Sequence, residues 1–157
     1  MVETWEVIRI TDESSIERLV ELNTEAFTHP WTKEMFLEEI RRPERSYLLG
    51  VFAPSRKVVG YCSVWRVADT LQVNSIAVTE TYQGRGVGCA LLGEVVTLGR
   101  HLAAVSVSLE VRSSNGAARG LYKRYHFKEV GKRSGYYRQP TEDAVILTRH
   151  LESDRGV

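Results

Sequence analysis

Apolar and polar positions divide the chain into eleven segments. WEVIRI (Trp5–Ile10) alternates and predicts a first strand. SSIERLVELNTEAF places Ile16, Leu19, Val20 and Phe27 near helical spacing, and Ser14-x-x-Glu17 before them has the form of a capping box. Pro30 ends that helix, and TKEMFLEEIRR predicts a second, short one that stops before Pro43. SYLLGVFA and KVVGYCSVWRV predict a hairpin around PSRK, and TLQVNSIAV a further strand. VGCALLGEVVTLGRH offers Val87, Leu91, Leu92, Val95 and Val96 as one broad apolar face of a helix. AVSVSLEVR alternates strictly, with Val105, Val107, Leu109 and Val111 on one face and Ser106, Ser108, Glu110 and Arg112 on the other. NGAARGLYKRY reads as a helix capped by Asn115. FKEVGKRSGYY and EDAVILTRHL predict a last pair of strands. The order is βααβββαβαββ, an α/β (α+β) arrangement with hairpins at both ends. No repeat, linker or low-complexity stretch interrupts it, so the expectation is one domain over residues 1–151 and a frayed tail over residues 152–157.

Composition narrows the function classes. The chain has 157 residues and a formal net charge of +1. Near-neutrality gives no support to nucleic acid as a main partner, although a local basic patch remains compatible with it. Cys62 and Cys89 form no CxxC. His29, His101, His126 and His150 lack the spacing of a metal site, so none is expected. No apolar run has the length of a signal peptide or a membrane span. A cytoplasmic protein without a membrane partner is the default expectation.

The stretch YQGRGVGCALLG puts Gly84, Gly86, Gly88 and Gly93 into Tyr82–Gly93, between a predicted strand and a predicted helix. The first amides of a helix have no internal partner, and the macrodipole favours an anion there. Glycines let a phosphate approach bare backbone, and Arg85 adds charge. A plain tight turn would need only one or two of them. The P-loop pattern is excluded, because no Lys stands at its required position. The dinucleotide fingerprint G-x-G-x-x-G finds Gly84 and Gly86, but Cys89 in third place. It would also sit mid-chain, with too little sequence behind it for a doubly wound sheet.

Gln83-x-x-Gly86-x-Gly88 resembles the acyl-CoA-binding signature [RQ]xxGx[GA] of the GNAT superfamily of N-acetyltransferases. The element order resembles that fold over nearly the whole chain. NSIAV, YQGRGVG, SLEVRSSNGAARGLY, GYY and EDAVIL together resemble the bacterial ribosomal-protein-alanine N-acetyltransferases, the RimI family. The resemblance implies a central, mostly antiparallel mixed sheet of about seven strands, with helices on both faces and a splay between the fourth and fifth strands. It implies acetyl-CoA as co-substrate, no metal, and as acceptor the N-terminal alanine of a small-subunit ribosomal protein.

The same resemblance distributes roles. The backbone of Ile76, Ala77 and Val78 would pair with the pantetheine arm. Gln83, Gly84, Arg85, Gly86, Val87, Gly88 and Cys89 would hold the pyrophosphate. Asn115 would bond pantetheine, and Tyr122, seven residues on and so on the same helical face, would protonate the departing thiolate. Glu110 would be the general base. An amine attacks only when neutral, and an α-amine has a pKa near 8. On residue pattern alone Glu110 is a solvent-facing carboxylate, Tyr122 a half-buried core tyrosine and SIAV a buried strand. Cys89 at a helix start invites a ping-pong carrier role, whereas the family's direct ternary mechanism needs none. FTHPW and SGYYRQP resemble the loops flanking the acceptor groove, which makes His29, Trp31, Tyr136 and Tyr137 acceptor candidates or, equally, a packing collar. RYHF departs from the family, where a Gly commonly precedes the Phe. Two other classes stay open: a GNAT acting on lysine or a small amine, and a non-catalytic acyl-CoA sensor. The sequence is silent on oligomeric state.

Overall fold

A computed structural model describes residues 3–151. The expected tail over residues 152–157 lies outside the described residues. All eleven expected elements form. The strands are β1 Val7–Arg9, β2 Ser46–Phe52, β3 Val58–Val67, β4 Thr70–Val78, β5 Ser106–Arg112, β6 Lys128–Tyr137 and β7 Glu142–His150. The helices are α1 Ile16–Ala26, α2 Lys33–Ile40, α3 Val87–His101 and α4 Gly116–Arg124. The strands form one mixed seven-stranded sheet in the order β1-β2-β3-β4-β5-β7-β6.

Within the described residues the chain divides into two compact units. The first runs to Trp65 and adds Asn74–Glu94; the second comprises Arg66–Val73 and the chain from Val95 on. In the first, β1, β2 and β3 pair antiparallel in sequence order, as the expected hairpin requires. Its core joins Ile16, Leu19 and Leu22 of α1, Phe36 and Leu37 of α2, and Leu48, Val58, Tyr61 and Ala77 of the strands. Gly60 on β3 admits the start of α3: a Cβ there would lie 2.6 Å from Val87 Cγ1. In the second unit, Thr70–Val73 pairs parallel with Ser106–Leu109. β5 pairs antiparallel with β7, and β7 with β6. The β4–β5 ladder ends at Val73 and Leu109, where the expected splay begins.

Two local expectations change. The Ser14–Glu17 capping box does not form. Asp12 accepts hydrogen bonds from the Ser14 amide (3.0 Å) and hydroxyl (2.6 Å), capping a single 3-10 turn over Glu13–Ser15 instead. Ser14 is thereby placed inside that turn, one residue before the N-cap of α1, and Ser15 at the N-cap makes no side-chain cap bond. The first strand is also shorter than WEVIRI, and Trp5 is released from it for a contact described below. Asn115 does cap α4, accepting from the Ala118 amide at 3.1 Å.

Candidate active site

In the first unit, the turn between β4 and α3 is braced from several directions. Glu25 of α1 accepts from the Thr79 hydroxyl (3.2 Å) and the Glu80 amide (3.0 Å), fixing the 3-10 turn Glu80–Tyr82. Gln83 folds back, and its side-chain amide donates to the Val78 carbonyl at 3.0 Å. Gly84 and Gly86 take φ of +76° and +88°, the left-handed region that only glycine enters freely. Such alternating turns expose successive amides, which favours an anion. The glycines therefore serve this turn through their backbone conformation. Gly84, Arg85 and Gly86 are exposed, Gly88 and Cys89 half-buried, and Val87 buried. Ala77 is buried, with Ile76 and Val78 half-buried beside it.

Arg85 is not a free cation. Its guanidinium donates to both carboxylate oxygens of Glu3, at 3.0 and 2.7 Å, and lies over the rings of Tyr82 (4.4 Å) and Trp5 (5.6 Å). The Trp5 indole N–H donates to the Arg85 carbonyl at 2.8 Å, and Trp5 packs edge-on against Tyr82. Hydrogen bonding to Arg85 holds the Glu3 carboxyl below its ordinary value. Glu3 and Trp5 were not among the expected site residues. Both come from the segment before β1, and no local pattern marks them.

The FTHPW loop of the same unit is set by a buried polar chain. Asn23 Oδ1 accepts from the Trp31 amide at 2.5 Å, and Asn23 Nδ2 donates to the Tyr61 hydroxyl, itself hydrogen-bonded to Ser75 Oγ at 2.5 Å. Burial pushes the Tyr61 phenol up. Trp31 is half-buried against Phe36, with ring centres 5.2 Å apart, whereas His29 is exposed. Trp31 is thus partly a packing residue, and His29 is open to solvent along with Phe27, Thr28 and Pro30.

In the second unit, Glu110 is the first β5 residue past the β4–β5 ladder, half-buried and opposite Ile146 of β7. Arg133 of β6 forms an ion pair with Glu110, Nε to Oε1 2.9 Å, and its Cζ lies 5.3 Å from the centre of the Tyr136 ring. Tyr136 and Tyr137 meet edge to face at 5.2 Å, and Arg112 lies 4.4 Å from the Tyr137 ring centre. Burial first, then the Glu110 charge, pushes the Tyr137 phenol up to about 12. The Glu142 carboxyl is held down by bonds from Ser114, Ser113 and Arg112. The structure thus sets Glu110 and Tyr136 against one cation, Arg133, that the sequence did not single out, and places Tyr137 between Tyr136 and Arg112. Tyr122 is 5% exposed and packs edge-on against Phe127 with centres 6.0 Å apart. Its ring is more deeply buried than a half-buried core tyrosine would be. His126, where the family commonly has Gly, takes φ +66° at the turn after α4. That left-handed conformation is one that glycine enters freely and that His tolerates better than most residues.

Among the described residues no group of three or more His, Cys, Asp or Glu side chains gathers as a metal site, and no helix is long and apolar enough to cross a membrane.

Residues 16–127 match the family model described as acetyltransferase (GNAT) family. The chain is 38% identical over 133 residues to a Bacillus subtilis (strain 168) protein provisionally named [ribosomal protein bS18]-alanine N-acetyltransferase, covering 84% of this chain and 87% of that one. The crystal structure of the Escherichia coli ribosomal-protein-S18-alanine N-acetyltransferase superposes with a TM-score of 0.85 over 94% of each chain, at 25% identity. Arabidopsis thaliana NAA60, solved with acetyl-CoA, superposes with a TM-score of 0.83 over 95% of this chain and 99% of that one. At 21% identity that likeness shows the fold alone.

Proposed function

The chain belongs to the acetyltransferase (GNAT) family, and from that premise we propose that it transfers acetyl from acetyl-CoA to the N-terminal α-amine of a protein. The acceptor is the N-terminal alanine of a small-subunit ribosomal protein, the substrate for which its relatives in Bacillus subtilis and Escherichia coli are named. The reaction takes place in the cytoplasm, and residues 1–151 act as one catalytic domain.

The observation that carries this reading is the setting of Glu110, half-buried at the point where the β4–β5 ladder stops and ion-paired from one side by Arg133. There a carboxylate can take a proton, directly or through a water, from an arriving ammonium. The amine nitrogen then forms a bond to the thioester carbon, and the carbon–sulfur bond breaks. Tyr122 gives a proton to the departing thiolate and recovers one, directly or through a water, from the nitrogen, whose second proton leaves as the amide forms. Amides of Gly84 to Cys89 hold the pyrophosphate, with Arg85 and Gln83 shaping that turn. Ile76 to Val78 and Asn115 hold pantetheine, and Cys89 carries no acetyl group. His29, Trp31, Tyr136 and Tyr137 flank the acceptor. The left-handed Gly84 and Gly86 and the exposure of this turn fit a pyrophosphate.

CoA-thiol release is the test, with a short peptide beginning Ala-Arg and its N-blocked twin containing an internal lysine. Turnover on the free N-terminus alone is expected. Turnover on the blocked twin would move the enzyme to lysine acceptors. Acetyl-CoA binding without turnover would make it a sensor.

A further inference from the structure

A carboxylate that accepts a proton from an amine carries a built-in conflict. Its negative charge also stabilises the ammonium, and the ammonium cannot attack. A bare Glu110 would hold the acceptor in its unreactive form. In this chain the carboxylate is not bare, because Arg133 Nε lies 2.9 Å from Oε1. We infer that Arg133 is a specificity-determining and positioning residue, whose fixed cation cancels the field of Glu110 so that the acceptor amine binds uncharged. The inference rests on the reading of Glu110 as base.

The surroundings leave this task to Arg133. On β5, Arg112 is drawn away, with its guanidinium on the Glu142 carboxylate (3.4 Å) and the Pro140 carbonyl (3.2 Å). On β7, Glu142 also accepts from Ser113 and Ser114, and Asp143 accepts from the Gly135 amide. The position opposite Glu110 is the apolar Ile146. On β6, the raised Tyr137 stays a neutral phenol at any working pH, and Tyr136 lies beneath the Arg133 cation. Lys132, beside Arg133, pairs opposite Val145. On α4, Arg119 is bound by Glu129. Arg133 is therefore the cation that directly meets Glu110.

The consequence is selectivity by basicity. An α-amine near pKa 8 loses its proton readily in a field-neutral site, whereas a lysine amine near 10.4 does not. A cation beside an amine favours the neutral, nucleophilic form.

The test compares wild type, Arg133→Gln, Arg133→Lys and Glu110→Gln on the Ala-Arg peptide over a range of pH, with circular dichroism as the folding control. In Arg133→Gln the bound ammonium is stabilised. Peptide KM falls several-fold, kcat at about pH 7 falls about ten-fold, and kcat recovers by about pH 9 as free amine becomes abundant. Arg133→Lys restores the wild-type limb. A merely structural role would raise KM and lower kcat at every pH, and that result, or an unmoved limb, would overturn the inference. Arg133→Met serves as a second uncharged variant if the Gln variant folds poorly, with the same outcomes. Glu110→Gln separates the two ideas. Full activity in that variant removes the base reading itself. An inactive Glu110→Gln beside an unshifted Arg133→Gln removes only the role of Arg133.

Discussion

The turn of the first unit and the strand cluster of the second each present a charge that chemistry would use, and each charge is already paired. Arg85 is held by Glu3, and Glu110 by Arg133. The settings differ. Arg85 and Glu3 are both well exposed, on a turn and a terminal segment, so solvent and salt screen their attraction. The Glu110 side chain is 27% exposed and sits on a strand that pairs along its length with β7, although Arg133, at 55%, is as open to solvent as the first pair, so the contrast lies on the carboxylate's side. On the proposed reading, the first pair shapes a backbone turn whose amides would bind the pyrophosphate, so opening it should cost little. The second would set the charge state of reacting groups, so its loss should appear in rate.

The units also differ in charge. Over the described residues the first has nine Lys and Arg against thirteen Asp and Glu, and the second eleven against five. A near-neutral chain is therefore built from an acidic and a basic part. A cavity in the second unit, walled by Arg119, Lys123, His126 and Lys128 along with Phe127, Leu147 and the acidic Glu129, which pairs with Arg119, belongs to the basic part. Net charge alone could not reveal this, and it is where the local basic patch left open by the sequence resides.

The largest effect that could break the comparison lies in the second unit. Glu110→Gln should lower kcat by about 10²–10⁴-fold with acetyl-CoA affinity retained, and Tyr122→Phe should cost about 10²-fold. The Phe variant keeps the ring against Phe127, so an unchanged melting curve would assign its loss to the hydroxyl. Losses confined to acetyl-CoA binding would instead place both residues with the co-substrate.

A smaller effect is expected from the packing beneath the turn. Gly60→Ala forces a methyl group against Val87 and should cost about 1–3 kcal/mol in thermal unfolding. It should raise the acetyl-CoA KM through the displaced start of α3 while kcat changes little. An equal loss in kcat would tie the turn to the chemical step.

The smallest effect concerns the exposed pair. The folded Glu3 carboxyl lies below its ordinary value of 4.5, so its contribution is complete above that value and is lost as pH falls through the lower, folded one. The fluorescence difference between wild type and Trp5→Phe should hold steady from neutral pH down to that value and change below it. Glu3→Gln should abolish the change and alter acetyl-CoA affinity only a few-fold. A large loss of affinity would make this pair as consequential as the one on the strands.

Much of this was legible in local pattern. The element order, the α3 apolar face and the Asn115 cap each depend on residues a few positions apart, and each formed. The capping box failed within the same range, because Asp12 capped a 3-10 turn that takes in Ser14 and moved the N-cap of α1 to Ser15. β6 was found by composition but not by alternation, since it is exposed along nearly its whole length and is bulged twice.

What the sequence determined by itself is the set of elements and the backbone freedom at the turn, because propensity, capping and φ are settled between near neighbours. The tertiary structure alone decided which charges meet. Glu3 reaches Arg85 from 82 residues away. Arg133 reaches Glu110 through a β5–β7–β6 register that no nearby residues specify. Asn23 reaches from α1 into the hydroxyls of Tyr61 and Ser75 on two strands. An ion pair or a buried hydrogen bond depends on distances of a few ångströms between side chains, and the path of the whole chain sets those distances.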